Sequence, residues 1–293
     1  MIYTIANEAL SVSINTNGAA LTSIKGASGQ EFLWHGDAKI WAGQAPNLFP
    51  FIGKVNNNSY TYQGQTHAMT RHGFARDSEF QLVKQTPTSA TLRLSDNAAT
   101  LVNYPFAFDL DICFSLQNNR LTVAYQVHNR SDQVMPFSLG AHPAFACNWQ
   151  AGDAITDYYL EFEKLETSSY VQFNGVALGR KRHACLQQSR QLLLTETMFD
   201  IDSLIFDDLK SEAITLRSHK AASAEQWVRV EYAGFPYMGI WSKPKAPYIC
   251  IEPWYGVDDY EDASGDVMEK EGVQILPPHT QFECQYHIVV GKP

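Results

Sequence analysis

Hydrophobic and polar residues alternate at every second position along much of the chain. The alternation is clearest in residues 10–15, 79–83, 90–95, 106–116, 121–129, 213–217, 227–232 and 282–290. A period of two is typical of strands with one buried face. Short polar stretches separate these segments, and Gln117 to Arg120 joins two of the longest in the manner of a hairpin. The pattern predicts regular antiparallel pairing.

Helical periodicity is almost absent from the chain. Residues 183–197, rich in Gln and Leu, are a weak helix candidate, with an irregular crossing as the alternative. We find no repeat, low-complexity tract or linker-like change of composition, so we expect one domain over residues 1–293. A sheet with one apolar face must bury it against another layer. The sequence therefore predicts an all-β fold, a large antiparallel β-sandwich with few short helices; a closed barrel is the alternative.

Composition and charge exclude several classes of protein. The chain is 45% hydrophobic and 18% charged, against about 25% charged in typical proteins. Such a composition argues against disorder of the whole chain. The 22 Lys and Arg residues are outnumbered by 31 Asp and Glu residues, which leaves a net charge of −9. Since binding to a phosphate backbone requires a basic face, we expect no nucleic-acid partner.

The sequence has no recognisable export signal and no paired cysteine pattern, and we therefore expect a soluble protein in a reducing compartment. The N-terminus lacks a basic segment followed by an unbroken apolar one, and no run of about 18 apolar residues occurs. We therefore expect a cytoplasmic protein that is neither exported nor membrane-bound. The five cysteines are scattered and form no C-x-x-C pair, so neither a disulfide framework nor a zinc site is indicated.

Two histidines lie in segments that interrupt the strand pattern. His72 is followed by Gly73, which permits a sharp turn, and His142 is followed by Pro143. Histidine titrates near neutrality, and this property suits it to proton transfer. Each residue also has an ordinary structural interpretation. His72 would then lie in a surface loop, and the ring of His142 would bind a backbone carbonyl in the core.

Glu252 is the strongest candidate for a general base. It follows the apolar residues 248–251 and precedes Pro253, so we expect it at the end of a strand and partly desolvated. Desolvation raises the pKa of a carboxylate toward that of a useful base. The alternative is a structural ion pair with Lys or Arg. The nearby aromatic residues Trp241 and Trp254 suit either a platform for a sugar ring or the protein core.

Common catalytic and nucleotide-binding motifs are missing from the sequence. We find no G-x-S-x-G, G-x-G-x-x-G, H-E-x-x-H or Walker-type motif. The cations Lys54, Arg71 and Arg76 cluster in an otherwise acidic chain. They suit the orientation of hydroxyls or a phosphate, although solvated or ion-paired side chains are the common alternative.

Four motifs together carry a resemblance to a known family. They are N-x-F-P-F-x-G-K at residues 47–54, H-G-F-A-R at 72–76, G-A-H-P-x-F at 140–145 and I-E-P-W-x-G at 251–256. In order and spacing they resemble the galactose mutarotase-like (aldose 1-epimerase) family, especially its bacterial mutarotase-related branch. The resemblance spans nearly the whole chain. It implies a large antiparallel β-sandwich with a sugar bound in an open cleft on one concave sheet.

The resemblance also implies roles for individual residues. Glu252 matches the base that takes the proton of the C1 hydroxyl, and His142 matches the acid that protonates the ring oxygen. We expect these two side chains on opposite sides of one pyranose. His72 matches a histidine that holds the sugar. Asp202 is the best match to an acidic ligand of sugar hydroxyls, with Asp200 as a close competitor.

Substrate contacts follow the same resemblance. Lys54 stands where the family usually has arginine, so the charge is kept and the planar fork is lost. Arg71, Arg76 and Trp241 are further expected sugar contacts. The His72-Gly73-Phe74 turn differs from the His-Gly-Gly turn of galactose-handling members and is closer to relatives that act on hexose phosphates.

The sequence thus predicts an isomerase of the mutarotase type. It would interconvert the α and β anomers of an aldohexose or hexose phosphate by general acid–base catalysis, with no metal or organic cofactor. We expect a small-molecule sugar as its partner and a monomer or homodimer. The alternatives are a non-catalytic carbohydrate-binding or sugar-sensing module and, less favoured, a lyase or another isomerase on the same fold.

Overall fold

Strands make up about half of the chain in the computed structural model, which describes residues 1–291. Positions 292 and 293 of the predicted domain lie outside the described residues. The strands are β1 (Ile2–Ala6), β2 (Leu10–Asn15), β3 (Ala20–Gly26), β4 (Asn47–Leu48), β5 (Ser59–Tyr62), β6 (Gln65–Ala68), β7 (Gln81–Thr86), β8 (Ser89–Ser95), β9 (Phe108–Gln117), β10 (Arg120–Asn129), β11 (Met135–Phe137), β12 (Leu139–Ala141), β13 (Ala144–Ala146), β14 (Tyr158–Gln172), β15 (His183–Leu193), β16 (Leu204–Phe206), β17 (Ala213–Ser218), β18 (Trp227–Glu231), β19 (Tyr237–Trp241), β20 (Tyr248–Tyr255), β21 (Gln274–Leu276) and β22 (Gln281–Val290). The α-helix α1 (Ala98–Asn103) and short 3₁₀ turns at Asn56–Asn58, Ala75–Asp77, Ile155–Asp157, Ala221–Ser223 and Val267–Glu269 complete the structure.

The strands form where the sequence alternates. In β2, which has the predicted bounds, Leu10, Val12 and Ile14 are buried and the residues between them are partly exposed. Strands β8, β9, β10, β17, β18 and β22 follow the predicted segments closely. The predicted hairpin is confirmed, because Gln117 pairs with Arg120 across a tight turn.

The helix candidate at residues 183–197 is wrong. Residues His183–Leu193 form β15, which pairs antiparallel with β14. The buried Leu186 and Leu192 are an even number of positions apart, as a strand requires. Register shifts in the pairing with β14 disturb the strict alternation between them, so the period of two is hard to recognise in the sequence.

All pairings between the named strands are antiparallel, and the predicted sandwich class is confirmed. One long path runs in the order β4-β12-β20-β19-β16-β14-β17-β18-β22-β10-β9-β8-β7, and β1, β2 and β3 form a separate sheet. Within the described residues β4 and β7 do not pair with each other, so the sheet does not close into a barrel. The main apolar cluster extends from Ile5 in β1 to Val290 in β22.

One irregularity in this sheet positions the candidate site. Strand β20 pairs with β12 through Trp254 and Tyr255 and with β13 through residues 248–250, which leaves a break on that side opposite residues 251–253. Pro253 lies at the break, where its missing N–H is not needed by a neighbouring strand. The strand therefore continues past the proline. Glu252 is inside β20 and not at its end, contrary to the sequence prediction.

None of the helices in residues 1–291 has both the length and the hydropathy needed to cross a membrane.

Candidate active site

The break between β12 and β13 brings His142 to Glu252. His142 lies directly after β12, and its backbone N–H donates to the carbonyl of Pro46 at 3.0 Å. Glu252 projects from β20 opposite the same break. The Nε2 atom of His142 is 3.3 Å from the Oε2 atom of Glu252. The two groups lie side by side, and not on opposite sides of a sugar-sized space as expected from the sequence.

Both side chains of this pair are buried and incompletely hydrogen-bonded. Glu252 is 1% exposed and His142 is 9% exposed. The Oε2 atom of Glu252 and the Nδ1 atom of His142 have no hydrogen-bond partner among the described residues. Buried polar atoms are rarely left in this state in native proteins. Both residues line an open cleft with a cavity of about 210 Å³, so the pair lies beside a space that can hold a small molecule.

The pKa values of the pair move in opposite directions. Burial raises the pKa of Glu252 well above 4.5, the charge of Asp202 raises it further, and Arg71 opposes the increase. Burial lowers the pKa of His142 to about 3, with repulsion from Arg71 and Arg76 adding to the effect. These shifts favour a neutral pair, in which the Glu252 carboxyl group is protonated and the His142 ring is uncharged.

His72 is held in a fixed tautomer. The backbone N–H of Gly53 donates to its Nδ1 atom at 3.1 Å, so Nδ1 is the acceptor and the neutral ring carries its proton on Nε2. Burial is the main cause that lowers the pKa of His72 well below 6.5. The ring centroids of His72 and His142 are 6.0 Å apart. His72 therefore places a permanent N–H donor beside the pair.

Gly73 allows the close turn that holds His72. His72 has a φ of 68° and Gly73 a φ of 71°, both in the left-handed region. A Cβ atom at position 73 would lie 2.3 Å from the carbonyl oxygen of Phe49. Only glycine fits this approach, as the sequence motif suggested.

Arg71 lies in the cleft between two carboxylates. A terminal nitrogen of Arg71 is 3.5 Å from Asp202 and 3.9 Å from Asp258, and the guanidinium lies 4.8 Å from the centre of the Phe173 ring. Asp202 also accepts the backbone N–H of Ser203 at 2.7 Å. These contacts fix a cation and a carboxylate close to Glu252. Asp202 lines the cleft, whereas its competitor Asp200 is exposed and does not line it.

Lys54 is the predicted sugar contact that the structure does not bring to the cleft. Its backbone N–H donates to Asp258 at 2.7 Å, while its side chain is absent from the cleft lining. The turn packs so closely on Asp258 that a Cβ atom at Gly53 would lie 2.2 Å from that carboxyl group. This packing fixes the backbone at Lys54. The cations that line the cleft are Arg71 and Arg76.

Tryptophans form much of the cleft wall. Trp241 and Trp254 both line it, as one of their two sequence interpretations allowed, although Trp254 is 2% exposed and also belongs to an apolar cluster. Trp41, which sequence reasoning missed, stacks on His142 with ring centroids 5.2 Å apart. Its sequence signal is faint. Gly43 follows two positions later, and a Cβ atom there would lie 2.4 Å from the Trp41 ring.

Two further lining residues and one metal-like cluster complete the site. Pro46 and Ser203 also line the cleft and were missed in the sequence. Ligand atoms of His142, Cys250 and Glu252 lie within 4.8 Å of one another. However, burial raises the pKa of the Cys250 thiol well above 9.0, and a thiol that keeps its proton is a poor metal ligand. The donor set suits proton transfer better than metal binding.

Comparisons with known proteins identify the family of the chain. The sequence pattern of the aldose 1-epimerase family matches residues 1–273. Protein LacX of Lactococcus lactis subsp. lactis is 34% identical over 300 residues, which cover 99% of each chain.

Solved structures of similar fold lead to the same family. A galactose mutarotase related enzyme from Lactobacillus acidophilus superposes with a TM-score of 0.94 at 34% identity, covering 100% of this chain and 98% of that one. A galactose mutarotase-like protein from Lactobacillus casei has a TM-score of 0.90 at 30% identity, with 99% and 100% covered. The resemblance found in the four motifs is confirmed along the chain, and the protein belongs to the aldose 1-epimerase family.

Proposed function

We propose that the protein is an aldose 1-epimerase that interconverts the α and β anomers of an aldohexose, either free or phosphorylated. The observation that carries this proposal is the buried pair of Glu252 and His142, 3.3 Å apart and open to the cleft. Family membership supports a sugar as the substrate. The catalytic roles that we propose for individual residues are those implied by the resemblance in the sequence motifs.

The reaction needs one base and one acid. Glu252, as carboxylate, takes the proton from the C1 hydroxyl while His142, as imidazolium, gives a proton to the ring oxygen, and the bond between C1 and the ring oxygen breaks. The open-chain aldehyde rotates about C1–C2. Ring closure on the other face reverses both transfers, so no net proton is consumed.

The side-by-side arrangement suits this chemistry. The hydroxyl oxygen and the ring oxygen are bound to the same carbon, so two neighbouring groups can serve both of them. The pair carries one proton before and after ring opening, first on His142 and then on Glu252. The neutral form that the pKa shifts favour is the form that follows ring opening. Hydrogen bonds from a bound sugar to the carboxylate of Glu252 would stabilise the charged form that starts the reaction.

Other lining residues would hold the sugar. His72 donates from Nε2 to a sugar oxygen, Asp202 accepts from hydroxyls, and Trp241 covers an apolar ring face. Arg71 and Arg76 supply donors for hydroxyls or for a phosphoryl group. All five side chains line the same cavity.

The test is to follow the rotation of polarised light after the protein is added to freshly dissolved α-D-glucose or α-D-galactose. Hexose 6-phosphates are examined by exchange NMR. We expect faster equilibration than in buffer for at least one sugar. Binding detected by calorimetry without acceleration would instead identify a carbohydrate-binding module. A product of different constitution in the NMR spectrum would identify a lyase or another isomerase.

A further inference from the structure

Asp258 is a buried carboxylate that borders the catalytic cleft without lining it. It is 1% exposed, and it is absent from the cleft wall that Arg71 and His72 help to form. It follows shortly after the end of β20, the strand that carries Glu252. The acid–base mechanism assigns it no role. A residue placed in this way affects a bound sugar through its neighbours and not by direct contact.

The turn at residues 53 and 54 connects Asp258 with His72. The backbone N–H of Lys54 donates to the Oδ1 atom of Asp258 at 2.7 Å, and Gly53 packs against the same carboxyl group. Gly53 is also bound to His72 through both of its backbone groups. Its N–H donates to the Nδ1 atom at 3.1 Å, and its carbonyl accepts the backbone N–H of His72 at 2.8 Å. The position of the His72 ring therefore depends on a turn that Asp258 holds.

Asp258 also faces the arginine of the cleft. A terminal nitrogen of Arg71 is 3.9 Å from the Oδ1 atom of Asp258, which is too long for a hydrogen bond but close enough for charge attraction. The same nitrogen is 3.5 Å from Asp202. The Nε atom of Arg71 is buried without a hydrogen-bond partner in residues 1–291. The two carboxylates and the ring of Phe173 thus orient the guanidinium.

The Asp258 side chain combines an acceptor oxygen with a negative charge. Burial raises its pKa, and Asp202 adds to the increase. Arg71, the N–H of Lys54 and Lys270 lower the pKa. For the bond to the Lys54 N–H alone, the oxygen of an asparagine would serve without the burial of a charge. The carboxylate adds attraction to the two cations, and Arg71 is the one that lines the cleft.

We propose that Asp258 is a positioning residue that holds two members of the sugar site at once: His72 through the turn at residues 53 and 54, and Arg71 through its charge. This inference rests on the proposed function, because that function assigns both residues to the sugar. It makes the geometry of the cleft dependent on a side chain outside it.

Two substitutions separate the two actions. Asp258→Asn keeps an oxygen for the N–H of Lys54 and removes the charge. We expect KM to rise about three- to tenfold and kcat to stay within about threefold, because Arg71 loses one of the carboxylates that orient it. Asp258→Ala removes the oxygen as well. We expect a further rise in KM and a fall in kcat of about tenfold, because a displaced His72 no longer aligns the sugar.

Nitrogen NMR of the histidine rings gives a readout that does not depend on activity. In the wild type and in Asp258→Asn we expect His72 as the tautomer protonated on Nε2, with His72→Asn identifying its signals. In Asp258→Ala the signals should move toward a mixture of both tautomers, because the N–H of Gly53 no longer holds Nδ1.

The pH profile gives a second such readout. Besides burial and Asp202, the charge of Asp258 raises the pKa of Glu252, and Arg71 lowers it. His142 is the titratable group beside Glu252. All of these groups except Asp258 are kept in Asp258→Asn. The limb of the activity profile that reports Glu252 should therefore move to lower pH, and a loss of stability alone would not move it.

Asp259→Asn is the matched control. Asp259 is the next residue, is also buried, and accepts the backbone N–H of Asn56 in the same segment. Its charge pairs with Lys270, and neither residue lines the cleft. We expect lower stability in denaturant titration, with KM, kcat and the His72 tautomer as in the wild type. Equal kinetic changes in the Asp258 and Asp259 variants would overturn the positioning role.

The outcomes separate this proposal from the proposed function. If sugars are anomerised and Asp258→Ala keeps the wild-type KM and His72 tautomer, the positioning role is wrong and the epimerase assignment stands. If Asp258→Ala does not fold, Asp258→Asn decides, and an unchanged KM with an unmoved limb would overturn the proposal. If the wild type anomerises no sugar, the proposed function fails. The His72 tautomer in Asp258→Ala then supports the positioning role if it changes and overturns it if it does not.

Discussion

Two buried acid–base pairs within residues 1–291 are built in different ways. In the pair of Asp259 and Lys270, the lysine ammonium donates to Asp259 at 2.6 Å and to the carbonyl of Val257 at 2.8 Å. The other oxygen of Asp259 accepts the backbone N–H of Asn56 at 2.9 Å. The pair of Glu252 and His142 is equally buried, yet each of its members keeps a polar atom without a partner in the described residues.

This difference separates a pair that holds the fold from one that is available for chemistry. Buried polar groups stabilise a structure when every donor and acceptor is satisfied. Both oxygens of Asp259 and the ammonium nitrogen of Lys270 have protein partners, and the pair ties the segment near Asn56 to the C-terminal part of the chain. Glu252 and His142 each keep an atom without a partner among the described residues, and the cleft beside them can admit a ligand. Burial and charge alone would not have distinguished the two pairs.

Replacing the base should give the largest effect. We expect Glu252→Gln to lower kcat by at least about 10²-fold with little change in KM, because a proton-transfer group acts mainly in the transition state. Polarimetry with the preferred sugar measures it. Glu166→Gln is the matched control, since Glu166 is fully buried outside the cleft and accepts backbone N–H groups from Lys210 and Ser211. Turnover of Glu252→Gln at the wild-type rate would contradict the proposal that Glu252 is the base.

Breaking the structural pair should change stability instead. We expect Lys270→Met to lower the free energy of unfolding by about 3–5 kcal/mol, because Asp259 would remain as a buried unpaired charge. Denaturant titration measures the loss, and kcat of the folded fraction should stay near the wild-type value. The double variant Asp259→Asn/Lys270→Met should recover part of the loss. A single-variant loss below about 1 kcal/mol would be typical of an exposed pair and would contradict the structural role.

Arg71 should control the pH range of the reacting pair. Its charge lowers the pKa of both Glu252 and His142. Arg71→Ala should therefore raise both values and move both limbs of the activity profile to higher pH. We also expect kcat/KM to fall about 10- to 100-fold, as for the loss of a charged hydrogen bond. Arg180→Ala, whose side chain pairs with Asp262 outside the cleft, is the control. Unmoved limbs would show that Arg71 acts on binding alone.

The smallest expected effect is a pH-dependent gain in stability. Because the folded-state pKa of Glu252 is raised, its contribution to stability is present below about pH 4.5 and is lost as pH rises through the raised value. Glu252→Gln should thus be more stable than the wild type at pH 8 by about 0.5–2 kcal/mol, with a smaller gap at pH 4. Denaturant titration at both pH values measures the gap. A gap that does not depend on pH would contradict this origin.

Much of the fold follows from local patterns in the sequence. The period of two places β2 and β10 correctly because buried positions alternate there with partly or fully exposed ones. It places β9 correctly because apolar and mostly polar residues alternate there, although the second face is buried at Asp109 and Asp111. It fails at residues 183–193, where irregular pairing with β14 obscures the alternation. The sequence prediction also fails at Pro253, because the local rule that a proline ends a strand places the end of β20 too early. The break between β12 and β13 that accommodates the proline is a long-range feature.

The site was predicted from motifs, and there is a physical reason why the prediction missed some of its residues. His72, His142, Asp202 and Glu252 lie in distinctive segments, and the structure brings them to one cleft. Trp41 reaches the site from a loop without strand periodicity, so no local pattern marks it. Asp258 acts on the cleft through Arg71 and the backbone of Lys54, contacts that only the folded chain creates. The same contacts explain why Lys54 lies outside the cleft lining.

The single hydrogen bond from Gly53 to His72 has a consequence for discrimination among sugars. Since Nδ1 is occupied as an acceptor and the ring stays neutral, Nε2 can only offer a proton. A hydroxyl accepts that proton, but the ammonium of an amino sugar has no lone pair with which to do so. If an amino sugar placed its ammonium group at this position, two hydrogen-bond donors would face each other. The cleft would then bind the amino sugar poorly even where its shape fits.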